Sequence, residues 1–174
     1  ESKRLNGIVE DFLSLARPST QPRTTIDWGE LINSVAQMIM LETDKKEVET
    51  HLDLCDDCSV SGVADELRKA LWNLLHNASA ATDRGGRIGI GLKSGSGAAV
   101  LTIDDSGSGI APEALSRVFE PWFTTKSGGT GLGLAITHRI VHDHDGTIEI
   151  SSPVPGTDKG TRVIVRLPLS ERSS

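Results

Sequence analysis

Three short stretches of this 174-residue chain combine residue types that could do chemistry. Residues 128–136 read GGTGLGLAI, with four glycines set against Leu132, Leu134, Ala135 and Ile136. Glycine frees the backbone, the apolar residues ask for burial, and a helix entered at Gly131 would join the two demands. Bare N–H groups at such a helix start, together with the positive end of its dipole, suit an anion such as phosphate. The stretch has neither the GK[ST] ending of a P-loop nor the G-x-G-x-x-G spacing of a dinucleotide fold. A second cluster, Asp105-Ser106-Gly107-Ser108-Gly109, leaves the apolar run AVLTID. A carboxylate at a strand end can accept a hydrogen bond from an exocyclic amine while a flat ring slides over bare backbone, although the same residue types also make ordinary turns. The third element is the pair Asn73 and Asn77. At about 100° per residue they fall one turn apart on the edge of an apolar helix face, with His76 opposite. Facing solvent they would do nothing; facing a pocket, their oxygens could help hold a hard cation such as magnesium and its accompanying phosphates.

Cys55 and Cys58, in HLDLCDDCSV, form a single C-x-x-C. That spacing supports a redox pair or half a metal site, and zinc would need two further ligands, with His51 the nearest. It also fits two small residues in a turn between strands.

The elements that must position these groups are legible from periodicity. Leu5, Ile8, Val9, Phe12, Leu15 and Ala16 are spaced for a helix, closed by Pro18, with STQPRTT as a linker. Asp27 can cap a second helix carrying Leu31, Val35 and Ile39, followed by a strand near VETHLDL. Leu67, Ala70, Leu71, Leu74, Leu75 and Ala78 predict a third helix from Asp65 to about Ala81. RIGIGLK and AAVLTID, joined by SGSG, predict a hairpin. A short helix from Pro112, the helix after Gly131, and strands near TIEISS and TRVIVRLPL complete the order. Helices mixed with hairpin-linked strands predict an α+β fold, a mostly antiparallel or mixed sheet with helices on one face.

Composition sets the outer limits. With 37% hydrophobic and 3% aromatic residues, the core must be mainly aliphatic, and the length suits one domain plus a short appendage. A net charge of −6 argues against nucleic-acid binding through a broad basic face. No apolar run approaches the roughly 20 residues needed to cross a bilayer. The start ESKRLNGIVEDFL, without Met or signal peptide, reads as a piece of something longer.

Taken in order, LWNLLHNASAA, DDSGSGI, FEPWFTTK, GGTGLGLAI and DKGTRVIVRLPL resemble the catalytic ATP-binding domain of bacterial sensor histidine kinases, in the superfamily shared with gyrase, Hsp90 and MutL ATPases. The resemblance covers roughly residues 27–169. It implies a two-layer α/β sandwich of the Bergerat type, with ATP and Mg2+ held between helices and a mobile lid. By match, Asn77 would be the magnesium ligand, with Asn73 one turn earlier near the phosphates. Asp105 would take the adenine amine, and Gly107 and Gly109 would make room for the ring. Phe119 to Lys126 would form the lid, with Lys126 reaching phosphate; Asn73 and Lys126 would be the residues closest to catalysis. Thr130, Gly131, Leu132 and Gly133, with Gly129, would lead the lid into the phosphate-binding helix, and Gly160 and Thr161 would border the adenine pocket.

The resemblance also divides the chain. Residues 1–18, with RLNGIVEDFLSLARP, look like the end of the second dimerisation helix; 19–26 would be linker, 27–169 the catalytic domain and 170–174 a tail. It implies a cytoplasmic domain, of a parent protein that could be membrane-anchored, partnered by a dimerisation domain bearing the phosphoacceptor histidine and by a response regulator. The chain alone is expected to be a monomer and the full protein a homodimer. His51, His76, His138, His142 and His144 all lie inside the ATP-binding region, so the acceptor histidine would lie upstream. His142 and His144 would close the last helix, where imidazole suits the negative dipole end. Where hydrolysing relatives carry a glutamate, this chain has Asn73, an amide that cannot act as a general base at neutral pH. Where many kinases carry a basic residue three positions after the magnesium asparagine, it has Ala80. Two other readings are a gyrase- or Hsp90-type ATPase and a non-catalytic nucleotide-, redox- or metal-sensing module using Cys55 and Cys58.

Overall fold

The computed structural model describes residues 1–17 and 19–171. The helix stop expected at Pro18 and the last three residues of the expected tail lie outside the described residues. The first helix, α1 (Ser2–Ala16), buries none of its side chains. It is tied to the rest by an Asp11–Lys69 ion pair of 2.9 Å and by the Arg139 guanidinium on the Ser14 carbonyl.

Next come strand β1 (Thr24–Asp27) and helix α2 (Trp28–Lys45). Asp27 caps α2 as expected, its carboxylate accepting the Glu30 N–H at 2.9 Å. Part of the expected linker is instead a strand. Thr24, Thr25 and Ile26 are β-branched, and β1 pairs antiparallel with β3 (Ser59–Gly62) in a separate two-stranded sheet.

The main sheet has five strands. β2 (Glu49–Leu54), β4 (Arg87–Gly95), β5 (Ala98–Asp105), β7 (Thr161–Pro168) and β6 (Thr147–Ser151) lie side by side in that order. Only β2 and β4 run parallel; the other pairs are antiparallel, including the predicted β4–β5 hairpin. Alternation sorts each strand into two faces. Ile88, Ile90 and Leu92 of β4, Ala99, Leu101 and Ile103 of β5, and Val165 and Leu167 of β7 point inward and are buried. They meet the apolar faces of α2, α3 (Ala64–Ala81) and α5 (Gly133–Asp143), including Ile32, Val35 and Ile39, Leu71 and Leu75, and Ile136 and Ile140. The opposite face carries His51, Asp53, Lys93 and a forked Arg162–Asp104 pair at 2.7 and 2.6 Å. The architecture is therefore the expected two-layer α+β sandwich with a mixed, mostly antiparallel sheet.

Two helix ends matter for the site. The C-terminus of α3 is held by Lys46 Nζ on the Ser79 carbonyl (2.7 Å) and by Thr82 Oγ1 on the Ala78 carbonyl (2.8 Å). At the end of α5, His142 is exposed, but His144 turns inward and is only 3% exposed. Its Nε2 accepts the Val63 N–H at 3.0 Å, so Nδ1 carries the proton facing the Ile140 carbonyl at 2.7 Å. This histidine caps α5 as expected and, through its two ring nitrogens, ties that helix end to the residue that precedes α3.

Cys55 and Cys58 close the turn between β2 and β3 and are joined in a disulfide. Among the described residues, no three His, Cys, Asp or Glu side chains gather where a metal ion could sit. Also among them, no helix is long and apolar enough to cross a membrane.

Candidate nucleotide-binding site

The period-two alternation that buries Ala99, Leu101 and Ile103 carries Asp105 to the same inward face at the last position of β5. Asp105 is 7% exposed, its carboxylate accepts the backbone N–H of Gly107 at 2.9 Å, and Thr161 is its partner across the β5–β7 ladder. Burial pushes the carboxyl above its usual range, opposed by the nearby Gly107 and Thr161 backbone N–H groups and by the charge of Lys126.

Asp105 lines a cavity of about 650 Å3 between α3, the sheet and the 108–131 segment. Ile103, Ile150 and Val163 furnish apolar walls close to it. Asn77 enters from the half-buried edge of α3. The start of α5 closes another side with Gly133 and Leu134, and Gly131, Thr130 and Lys126 line it from the loop before the helix. Burial holds the Lys126 ammonium below its usual range, partly offset by Asp105. The cavity thus joins a buried carboxylate, an amide oxygen, a lysine and a helix N-terminus whose first N–H groups have no intrahelical acceptor.

Helix α5 begins at Gly133, two residues later than the sequence reading places it. Gly131 has φ +72°, outside the right-handed helical region, and forms instead the turn that leads into the helix. Its carbonyl accepts the Trp122 N–H at 2.9 Å, so the segment 122–131 closes on itself as a loop beside the cavity. That loop also meets α1, where the Trp122 and Phe12 rings stack at 6.2 Å.

Of the expected site residues, Asn77, Asp105, Gly109, Lys126, Gly129, Thr130, Gly131, Gly133 and Thr161 line this one cavity. Five others do not line it, among them Gly160, whose α-carbon lies against the Asp105 carbonyl. Asn73 donates its amide to the Gly133 carbonyl at 3.2 Å and to Thr137 Oγ1 at 3.4 Å, clamping α3 to α5. Asn73→Ala should accordingly cost about 1–2 kcal/mol of stability in urea unfolding, the usual range for losing part-buried hydrogen bonds. Gly107 makes room for the end of α3, not for a ligand ring: a Cβ there would stand 2.3 Å from the Ala81 carbonyl oxygen. The Phe119 ring packs on His138, 4.9 Å between centroids. The Leu132 side chain is fully buried in the core, because helix entry turns it away from the glycine loop.

Sequence reasoning passed over the apolar walls, although the alternation that aims Asp105 inward also aims Ile103, one step earlier on the same face. It also set His76 on the opposite side of α3. The cavity instead extends around the helix edge to His76, whose ring stacks on Trp72 at 5.8 Å.

The family of histidine kinase-, DNA gyrase B- and HSP90-like ATPases matches residues 62–171. The sensor histidine kinase ZraS of Escherichia coli O157:H7 is 37% identical over 172 residues, covering 98% of this chain but 37% of that protein, so the chain spans well under half the relative's length. Among solved structures, the mycobacterial sensor histidine kinase MprB superposes with a TM-score of 0.77 at 30% identity, covering 84% of this chain and 97% of that one. The histidine kinase ThkA, in complex with the response regulator protein TrrA, superposes with a TM-score of 0.81 at 25% identity over 98% of this chain and 49% of that one. With the helix-and-glycine cavity already described, these matches make the chain a member of the histidine kinase-, DNA gyrase B- and HSP90-like ATPase family, an ATP-binding domain of the sensor histidine kinase type.

Proposed function

We propose that this chain is the catalytic domain of a two-component kinase that presents Mg2+-ATP to a histidine on a dimerisation domain. The reading rests on one observation: the buried Asp105 carboxylate and the N-terminus of α5 open into the same cavity. In this reading Asp105 accepts the adenine amine and the apolar walls enclose the ring. The triphosphate lies toward the first N–H groups of α5, with Lys126 and Thr130 beside it. Asn77 offers a hard amide oxygen on that side, the donor type magnesium takes, and Asn77 is the residue that would hold the ion; bound there, it would neutralise phosphate charge.

The transfer breaks the bond between the γ-phosphorus and the β–γ bridging oxygen and forms one from phosphorus to an imidazole nitrogen, with loss of the imidazole proton and release of ADP. Positioning and charge neutralisation carry most of such a step. Asn73 holds α3 against α5 and cannot deprotonate water, so hydrolysis should be slow. The proposal makes α1 the end of a dimerisation helix, residues 19–26 its connection, residues 27–169 the catalytic domain and residues 170–174 a tail. It makes the chain a cytoplasmic monomer cut from a homodimer. A response regulator, the class of protein that ThkA binds, would then receive the phosphoryl group.

Incubating the chain with labelled ATP and a separately produced dimerisation domain should place acid-labile phosphate on that domain. Steady phosphate release without labelling of the acceptor would support a hydrolase instead. A second expected result concerns the cation. Asn77→Ala should weaken ATP binding about tenfold in magnesium and hardly at all in EDTA, tenfold being what one lost ligand-side interaction of about 1.4 kcal/mol produces. Equal losses in both buffers would remove Asn77 from the cation site.

A further inference from the structure

The β5–β7 ladder stops at the pair Asp105 and Thr161. Beyond it, two loops continue along the cavity rim: 106–110 after β5, and the stretch before β7 that ends in Gly160. Neither extends the ladder, yet they lie against each other, and the first residue after β6, Ser152, closes the second stretch on itself and bonds it to the first. Ser152 Oγ accepts the Ile110 N–H at 2.8 Å and donates to the Gly160 carbonyl at 2.7 Å. Both functions of the hydroxyl, donor and acceptor, are thereby used.

The neighbouring glycines keep this junction tight. A Cβ on Gly109 would stand 2.8 Å from Ser152 Oγ, so the hydroxyl sits directly against that α-carbon. A Cβ on Gly160 would stand 2.0 Å from the Asp105 carbonyl oxygen, and Gly160 has φ +83°. Thr161, the next residue, is the partner of Asp105 across the β5–β7 ladder. A continuous set of contacts therefore runs from Ile110 through Ser152 and Gly160–Thr161 to Asp105.

We infer that Ser152 is a positioning residue that sets the base preference of the nucleotide site, by fixing the spacing of the two loops around Asp105. The inference rests on the proposed nucleotide reading and extends it to a residue that touches no ligand. Ser152 bonds the two loops that flank Asp105, so its loss should affect recognition of the base more than retention of the triphosphate.

The test compares ATP and GTP dissociation constants for the unaltered chain, Ser152→Ala and Asp105→Asn, all in magnesium, with melting curves of the unliganded proteins. Ser152→Ala should raise the ATP constant about tenfold, the scale of two lost neutral hydrogen bonds, and shrink the GTP-to-ATP ratio several-fold. The unliganded melting point should move by only a few degrees. Amide exchange at Ile110 should quicken, because its N–H loses its acceptor. An unchanged ATP constant, an equal weakening of ATP and GTP, or unaltered exchange at Ile110 would each overturn the inference. The Asp105→Asn arm separates the two failures. If that change also leaves ATP binding intact, the nucleotide reading falls; if it weakens ATP while Ser152→Ala does not, only the role of Ser152 falls.

Discussion

Asp105→Asn should weaken ATP binding by about 10- to 100-fold while leaving the fold intact. Hydrogen bonds to a charged group contribute about 1.5–3 kcal/mol, which spans that range at 1.4 kcal/mol per tenfold. Asparagine has nearly the same shape and still offers an oxygen to the Gly107 N–H that holds the carboxylate now. It loses the charge and presents an NH2 group that collides with another amine. Titration calorimetry measures the loss, and unchanged affinity would remove Asp105 from the base-binding role.

The same residue gives the affinity a pH dependence. Burial raises the Asp105 carboxyl above its ordinary value of 3.8, so the folded chain binds this proton more readily than the unfolded chain does. Its contribution to folding stability is therefore greatest in acid and declines as pH rises from 3.8 through the raised value. Nucleotide affinity should move the other way over that window, because only the anion accepts a hydrogen bond on both oxygens from N–H donors. Calorimetry in acid should show ATP binding weakening before the unliganded fold does, and Asp105→Asn should flatten the dependence.

The parts of this molecule that were legible in the sequence are those governed by period. Leu67, Leu71, Leu74 and Leu75 mark the buried face of α3, and the run AVLTID aims Asp105 into the core side of the sheet. The order of the glycine motifs located the cavity. What period does not encode is which of two polar groups faces a ligand and which faces a neighbouring helix. Asn73 and Asn77 are one turn apart on one edge of α3, yet only Asn77 lines the cavity. The difference is set by α5, which crosses near Asn73 and offers it the Gly133 carbonyl and Thr137 hydroxyl. Gly107 is a similar case: its lack of a side chain accommodates the Ala81 carbonyl, a partner 26 residues away that composition cannot reveal. The strand at Thr24–Asp27 was hidden because STQPRTT has the composition of a loop, and its pairing partner lies beyond the whole of α2.

Gly131→Ala should damage the site most among single-methyl changes in the loop. Two costs coincide there. At φ +72° any residue with a Cβ is strained, by roughly 1–2 kcal/mol. The new methyl would also stand 2.5 Å from the Trp122 carbonyl carbon and 2.8 Å from the Phe123 nitrogen, both backbone atoms that cannot rotate aside. The 122–131 loop must therefore open, carrying Lys126 and Thr130 away from the start of α5. ATP affinity should fall at least about tenfold, and limited proteolysis should cut within the loop before the core unfolds. Gly128→Ala supplies the comparison, since Gly128 has φ +80° but no heavy atom within 4 Å of its would-be Cβ. It bears the backbone strain without the collision, so it should lose a few-fold in affinity at most, on the scale of that strain spread over a loop free to relax. If the two alanines weaken ATP equally, backbone strain alone explains the effect. If Gly131→Ala weakens it far more, the close contact between Gly131 and Trp122 is what holds the loop in its binding shape.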